Sequence, residues 1–285
     1  MSLGARLAQQ TILAVPGVCD PLTAAIAEST GAEALYVTGA GVAYTRLGRP
    51  DVGLVSMTEM AGTVGLIRDR TPLPLIVDMD TGFGNALNVQ RTVRLFERAG
   101  ASALQIEDQT NPKRCGHLAG KQVVPKVEAV GRLKAALDAR GEALIVARTD
   151  AVAVEGFEAA MDRAEAFAEA GADILFLDAL ETEAQMAHVT ETFAGRVPVM
   201  ANMVEGGMSP MRDTAQLEKL GFSLVIFPGG IVRALAAQAR DYYASLLAHG
   251  SNAPFKDRML DFGGLNAVLG TDDLLAHGAG FEDTP

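Results

Sequence analysis

Eight short apolar runs, each followed by a polar turn and then a helical pattern, constrain this 285-residue chain more than any other feature. The runs are Leu13–Pro16, Ala34–Thr38, Leu75–Met79, Ala103–Glu107, Ala143–Arg148, Ile174–Asp178, Val197–Asn202 and Leu224–Phe227. Apolar spacing near 3.6 predicts helices over Leu22–Ser29, Thr58–Arg68, Asn88–Ala99, Lys126–Ala139, Phe157–Ala170, Glu183–Thr192, Asp213–Leu220 and Ile231–Ala248. Gly31, Gly100, Gly171 and Gly221 stand where helix C-termini call for a left-handed residue. Strand followed by helix, eight times over, predicts parallel strands joined by right-handed crossovers and closed into a (β/α)8 TIM-type barrel. An open doubly wound sheet would normally carry Gly-x-Gly-x-x-Gly after its first strand, and Pro16-Gly17-Val18-Cys19-Asp20 is not that turn. The barrel accounts for residues 1–250. A further helical segment, 251–285, with Met259, Leu260, Phe262, Leu265, Val268, Leu269, Leu274 and Leu275, has no obvious use inside it. It is read as an extension packing on a neighbouring subunit, with folding back over its own barrel as the alternative.

Composition removes other classes. With 24 Lys and Arg against 35 Asp and Glu the formal charge is -11, a field that repels nucleic acid and anionic lipid. No run approaches the roughly 18 apolar residues of a membrane span, and residues 1–10 lack the apolar core of a signal peptide. Two cysteines, Cys19 and Cys115, make neither a disulfide scaffold nor a structural zinc site. The expectation is a soluble cytoplasmic protein that handles a small molecule.

In a barrel the strand C-termini share one rim, so polar residues that end different strands meet in space. Here those ends read Thr38-Gly39, Asp78-Met79-Asp80, Glu107-Asp108, Arg148-Thr149-Asp150, Asp178 and Asn202. Asp78 and Asp80 leave their strand on one face, roughly 6–7 Å apart along it. Three carboxylates, Asp78, Asp80 and Glu107, crowded at an apolar mouth repel unless a cation neutralises them, and an all-oxygen set selects Mg2+ or Mn2+. The alternative is that the acids cap helices or pair with Arg148; Asp108 and Asp150 suit that role better than Asp78. The Arg148 guanidinium fits a substrate carboxylate, or a salt bridge to Glu107 or Asp178. Thr38-Gly39-Ala40-Gly41 offers backbone N–H groups to an anion. In the loop from Asn111 to Lys121, Cys115 has Lys113, Arg114 and His117 beside it, and positive charge lowers a thiol's pKa, so Cys115 is a candidate proton carrier. Cys19 lacks such neighbours and is read as packing.

The motifs Asp78-Met79-Asp80-Thr81-Gly82-Phe83-Gly84-Asn85, Glu107-Asp108-Gln109, Lys113-Arg114-Cys115-Gly116-His117 and Ala147-Arg148-Thr149-Asp150-Ala151 resemble, in order and spacing, the isocitrate lyase/phosphoenolpyruvate mutase superfamily. The resemblance runs from about Leu13 to Phe227. With Asn202-Met203-Val204-Glu205-Gly206-Gly207 it is greatest to the 2-methylisocitrate and alkylmalate lyases and the carboxyphosphonoenolpyruvate phosphonomutases. It implies a barrel whose last helix is exchanged between subunits of a homodimer, usually assembled as a homotetramer. It implies Mg2+ held by Asp78, with Asp51, Asp80 and Glu107 acting largely through water. It puts Tyr36, Thr38, Gly39, Ala40, Asp51, Arg148, Asp178, Asn202 and Glu205 in the substrate shell. The catalytic set is Cys115, tuned by His117, with Tyr36 or a metal-shell carboxylate as base and Arg148. The reaction expected is cleavage of a 2-hydroxy di- or tricarboxylate to a 2-oxo acid and a carboxylate, through an enediolate that Cys115 protonates. Carboxyphosphonoenolpyruvate phosphonomutase chemistry, oxaloacetate decarboxylation or hydrolysis, and a non-catalytic scaffold barrel are the alternatives. Thr38 stands where serine is common in the superfamily, and Asp178 where many members have glutamate.

Overall fold

The computed structural model describes residues 1–9, 11–116 and 120–282. Eight parallel strands follow the expected runs: β1 Leu13–Val18, β2 Leu35–Val37, β3 Leu75–Asp78, β4 Ala103–Glu107, β5 Leu144–Thr149, β6 Ile174–Leu177, β7 Met200–Asn202 and β8 Leu224–Phe227. Their order is β6-β5-β4-β3-β2-β1-β8-β7. The parallel bridge Leu175↔Val199 joins β6 to β7 and closes the ring. β7 begins later than its apolar run because Pro198 has no N–H for the ladder; its carbonyl still accepts from Leu175 at 2.9 Å.

Five of the eight helices that follow the strands have a first turn held by a side chain. Asp20, Ser56, Asn85, Thr182 and Asp213 cap the helices Pro21–Ser29, Met57–Arg70, Ala86–Arg98, Glu183–Phe193 and Thr214–Lys219 in this way. Lys126–Ala139, Phe157–Ala170 and Gly230–His249 complete the ring. The core has two layers. An inner one fills the barrel with Leu13, Val15, Ile76, Val146, Ile174, Phe176, Met200, Leu224 and Ile226. An outer one packs Val37, Val77, Leu104, Ile145, Leu175 and Val225 against the helices. A short N-terminal helix, Leu3–Leu7, was not legible in the sequence. Leu3 joins the inner layer, and buried Arg6 binds the Thr11 and Ile12 carbonyls and Glu33, at 2.8 Å to its Oε2.

The C-terminal part differs. Gly230–His249 buries only Val232, and Leu247 is 85% exposed. Beyond Gly250, a 3-10 turn at Ala253–Arg258 leads to helices Phe262–Leu269 and Thr271–Glu282. Phe262–Leu269 buries no residue and is tied to its own chain by Arg70, whose Nη2 donates to the Val268 carbonyl at 2.7 Å. Among the described residues no helix is long and apolar enough to cross a membrane.

Candidate active site

The period of a β-strand decides what the barrel mouth contains. Inward-facing residues on successive strands read Tyr36 then Thr38, Ile76 then Asp78, Gln105 then Glu107, Val146 then Arg148, Phe176 then Asp178, Met200 then Asn202. On these six strands the inward side chains turn polar towards the C-terminal end, at the rim. Outward-facing neighbours serve structure: Asp108 accepts from Thr149 Oγ1 at 2.7 Å, the Asp150 N–H at 2.9 Å and Arg163 at 3.2 Å. A pocket with an empty volume of about 560 Å3 lies over the rim. Tyr36, Thr38, Ala40, Asp51, Asp78, Glu107, Cys115, Arg148 and Asn202 line it together with Tyr44, Lys113, Arg114 and Arg233.

One wall is acidic. Asp78 Oδ1 accepts from the Asp80 N–H at 3.2 Å and from Gln105 Nε2 at 3.3 Å. Gln105 Oε1 in turn accepts from the Tyr36 hydroxyl at 3.1 Å. Asp80 adopts φ 49, a conformation few residues other than glycine take, and this turns the chain sharply behind the wall. The Gly39 backbone comes so near that a Cβ there would stand 3.0 Å from Asp78 Oδ2. Lys113 Nζ sits between Asp51 Oδ1, at 2.6 Å, and Asp80 Oδ1, at 2.7 Å. Burial, against the pull of Lys113 and aided by Asp78, pushes the Asp80 carboxyl up to about 7. Burial also drives Glu107 well above its usual range despite Arg148, and its buried Oε1 has no partner among the described residues. Burial next to Asp78 raises the Tyr36 phenol well above its ordinary value, so the neutral donor form is favoured.

The opposite wall is balanced. Arg148 Nε and Nη2 donate to Asp150 at 2.9 and 3.0 Å, Nη2 also reaches Asp178 at 3.1 Å, and Nε lies 3.4 Å from Glu107. Lys121 Nζ pairs with Asp150 at 3.0 Å. Burial opposes the charge on Asp150, but Arg148 and Lys121 outweigh it and hold the carboxyl well below its usual range. Asn202 donates to Asp178 Oδ1 at 3.1 Å.

The structure therefore gathers Tyr36, Thr38, Ala40, Asp51, Asp78, Glu107, Cys115, Arg148 and Asn202 around one pocket. Gly39, Asp80 and Asp178 stand behind its lining. Glu205 is not among the described residues that line it: exposed on the loop after β7, it meets the lining residue Arg233 at 2.6 Å. His117 lies outside the described residues. Among the described residues no group of three or more His, Cys, Asp or Glu side chains is drawn together as ligands, and Lys113 holds Asp51 and Asp80. The donors suit a hard divalent ion: Asp51, Asp78 and Glu107 offer only oxygen to the pocket, and Glu107 Oε1 is buried without a partner among the described residues. Cys19 is buried, with burial pushing its thiol up to about 11, which leaves it packing.

Sequence reasoning missed Gln105, Lys121 and Arg233 as members of the site, whereas Asp150 pairs with Arg148 as the alternative reading of the acids had it. Gln105 was findable as a polar residue on the inward face of an apolar strand, and Asp150 shares the inward parity of Arg148. Lys113 was read as a neighbour of the thiol, yet its ammonium goes to the acids. Nothing local marks Arg233.

Comparison with known proteins identifies the chain's kin. The family described as phosphoenolpyruvate phosphomutase matches residues 3–247. The 2,3-dimethylmalate lyase of Eubacterium barkeri is 40% identical over 270 residues, covering 94% of this chain and 93% of that protein. The 2-methylisocitrate lyase of Aeropyrum pernix is 44% identical over 253 residues, covering 88% and 80%. Among solved structures, oxaloacetate acetylhydrolase in complex with 3,3-difluorooxalacetate superposes with a TM-score of 0.92 at 32% identity, covering 99% and 97% of the two chains. Phosphonopyruvate hydrolase in complex with oxalate and Mg2+ does so with a TM-score of 0.87 at 27% identity, covering 98% and 99%. A family match over residues 3–247, a shared barrel and identity spread over about nine tenths of the sequence make this chain an enzyme, a lyase of the isocitrate lyase/phosphoenolpyruvate mutase superfamily.

Proposed function

We propose that the chain is a Mg2+-dependent carbon–carbon lyase that cleaves the C2–C3 bond of a 2-hydroxy di- or tricarboxylate of the 2-methylisocitrate or alkylmalate type. The observation that carries this reading is the juxtaposition, across one pocket, of the acidic wall Asp51, Asp78 and Glu107 with Cys115, above Arg148 and Asn202. Relatives named for these two reactions, at 40% and 44% identity, support it.

Asp78 would hold Mg2+, or Mn2+, with Asp51, Asp80 and Glu107 around it; the bound ion supplies charge stabilisation for the oxygens at C1 and C2. Arg148, whose Nη1 has no acceptor among the described residues, orients a substrate carboxylate. Thr38 and Ala40 at the end of β2 offer the anion a small-residue wall. Glu107 is assigned to take the C2 hydroxyl proton: it lines the pocket and burial raises its affinity for a proton. Tyr36 keeps its own proton and steadies Asp78 through Gln105. As the C2–C3 bond breaks, its electron pair passes to C3 as an enediolate, and Cys115 Sγ delivers the proton that makes the carboxylate product. His117 is assigned to tuning that thiol. The exposed apolar side chains Leu260, Phe262, Leu274, Leu275 and Phe281 support packing of the extension on a neighbouring subunit.

Hydrolysis of oxaloacetate is the second reading, supported by the likeness to oxaloacetate acetylhydrolase. Incubation with 2-methylisocitrate, 2,3-dimethylmalate, oxaloacetate and phosphonopyruvate, followed by 1H and 31P NMR, separates the chemistries. The expected result is Mg2+-dependent release of a 2-oxo acid from one of the first two. Turnover of oxaloacetate alone gives the second reading precedence, turnover of the phosphonate alone replaces both, and no turnover at all ends the enzymatic proposal. Cys115→Ser should lower kcat by about 10²–10⁴-fold, the usual worth of a positioned proton donor, with calorimetric magnesium uptake intact.

A further inference from the structure

Lys121 is buried and no step above uses it. Its Nζ donates to the Gly116 carbonyl and, at 3.0 Å, to Asp150 Oδ1, and Asp178 Oδ2 lies 3.9 Å away. An ammonium carries three protons and no lone pair, so it can sit among three acceptors that would otherwise repel one another. The anchor beneath it is rigid, since both carboxylates are also held by Arg148.

What this grip controls is the residue before Gly116. The Cys115 N–H donates to the Asp51 carbonyl at 3.1 Å, so the dipeptide Cys115-Gly116 is pinned at its amide by one wall of the pocket and at its carbonyl by the other. Gly116 lies flush on the second wall: a Cβ there would overlap Asp178 Oδ2 and Arg148 Nη2. The same loop is fastened at its start by Lys113 on Asp51 and Asp80. The thiol therefore stands between two buried ammonium anchors. The first reaches the acidic wall, and the second, Lys121, reaches the balanced one.

We propose that Lys121 is a positioning residue for Cys115, setting the place of the thiol over the pocket by drawing the Gly116 carbonyl onto the Asp150–Asp178 anchor. This rests on the reading of Cys115 as proton donor, and the test separates the two. In Lys121→Met, alkylation of Cys115 by iodoacetamide should accelerate about tenfold, as the half-buried thiol loses its restraint. The Cys115→Ser protein supplies the background from buried Cys19. On the substrate that the NMR panel identifies, kcat should fall about a hundredfold, the cost of misplacing a reacting group by about 1 Å, with KM changed less than about threefold. Lys121→Arg, which keeps a cation for the two carboxylates, should recover part of the kcat loss and slow the alkylation again. Alkylation at the wild-type rate in Lys121→Met overturns the proposal, whatever turnover does. Faster alkylation with undiminished turnover upholds the grip and removes Cys115 from the chemistry, in which case Cys115→Ser also keeps its activity. If no substrate turns over, the alkylation rate alone decides. Should Lys121→Met fail to fold, as read by circular dichroism, Lys121→Gln takes its place under the same readouts.

Discussion

Across the mouth of the barrel, three carboxylates on the β2–β3 side, Asp51, Asp78 and Asp80, stand against one ammonium, Lys113, which pairs with Asp51 and Asp80. On the β5–β6 side two carboxylates, Asp150 and Asp178, meet two cations, Arg148 and Lys121. Both sides are buried and both grow from inward-facing strand ends, yet their proton affinities diverge. Burial leaves Asp80 at about 7 even with Lys113 against it, whereas the cations around Asp150 override burial and hold it low. Charge that is neutralised within the protein builds a rigid floor; charge left in excess is a binding site for something else. Glu107 lies between the two, 3.4 Å from Arg148 through one oxygen and, among the described residues, unpartnered through the other.

This contrast can be broken experimentally. The largest effect belongs to the unbalanced side: Asp78→Asn should reduce turnover by about a thousandfold or more, through lost metal-assisted charge stabilisation, while circular dichroism and the urea midpoint show an intact fold. Retained turnover would move the cation site elsewhere. On the balanced side the effect should appear in stability. Arg148→Met strands Asp150 and Asp178 without their guanidinium, and urea unfolding should register a loss of about 3–5 kcal/mol, as for other broken buried pairs. A smaller loss would mean that Lys121 alone neutralises the floor. Next in size, Mg2+ at about a hundredfold above its Kd should stabilise the wild-type protein by about 2.7 kcal/mol over the EDTA-treated one in scanning calorimetry, and Asp78→Asn should lose this response. An equal response in both proteins would dissociate the acidic wall from metal binding. The smallest change is expected outside the mouth. Phe262, 88% exposed, should tolerate Phe262→Ser with about 0.5 kcal/mol or less of change in unfolding, while light scattering reports weaker self-association; an unchanged assembly would separate the extension from any subunit contact.

The barrel was legible because its signals are local. Strand runs and helix patterns recur with distinct periods, and glycines such as Gly100 and Gly171 mark where the helices end. Much of the site was legible for the same reason, since period two carries Asp78, Glu107, Arg148 and Asn202 to one rim once the strands are known to be parallel. The N-terminal helix was not, because five residues are too few to show a period and Leu3 matters only as a plug for a barrel bottom assembled from distant strands.

Residue types and spacing were enough to establish eight parallel strands, an acidic rim, a nearby thiol and the superfamily, since each depends on neighbours within a few positions along the chain. Partnership was settled in three dimensions. That Lys113 would turn to Asp51 and Asp80, that Asp150 would take both donors of Arg148, that Lys121 would reach past the loop to the floor beneath it, and that Glu205 would pair with Arg233 all depend on which charge is nearest after burial. A buried ion takes whichever counter-ion lies within a few ångströms, and that distance is a property of the closed barrel.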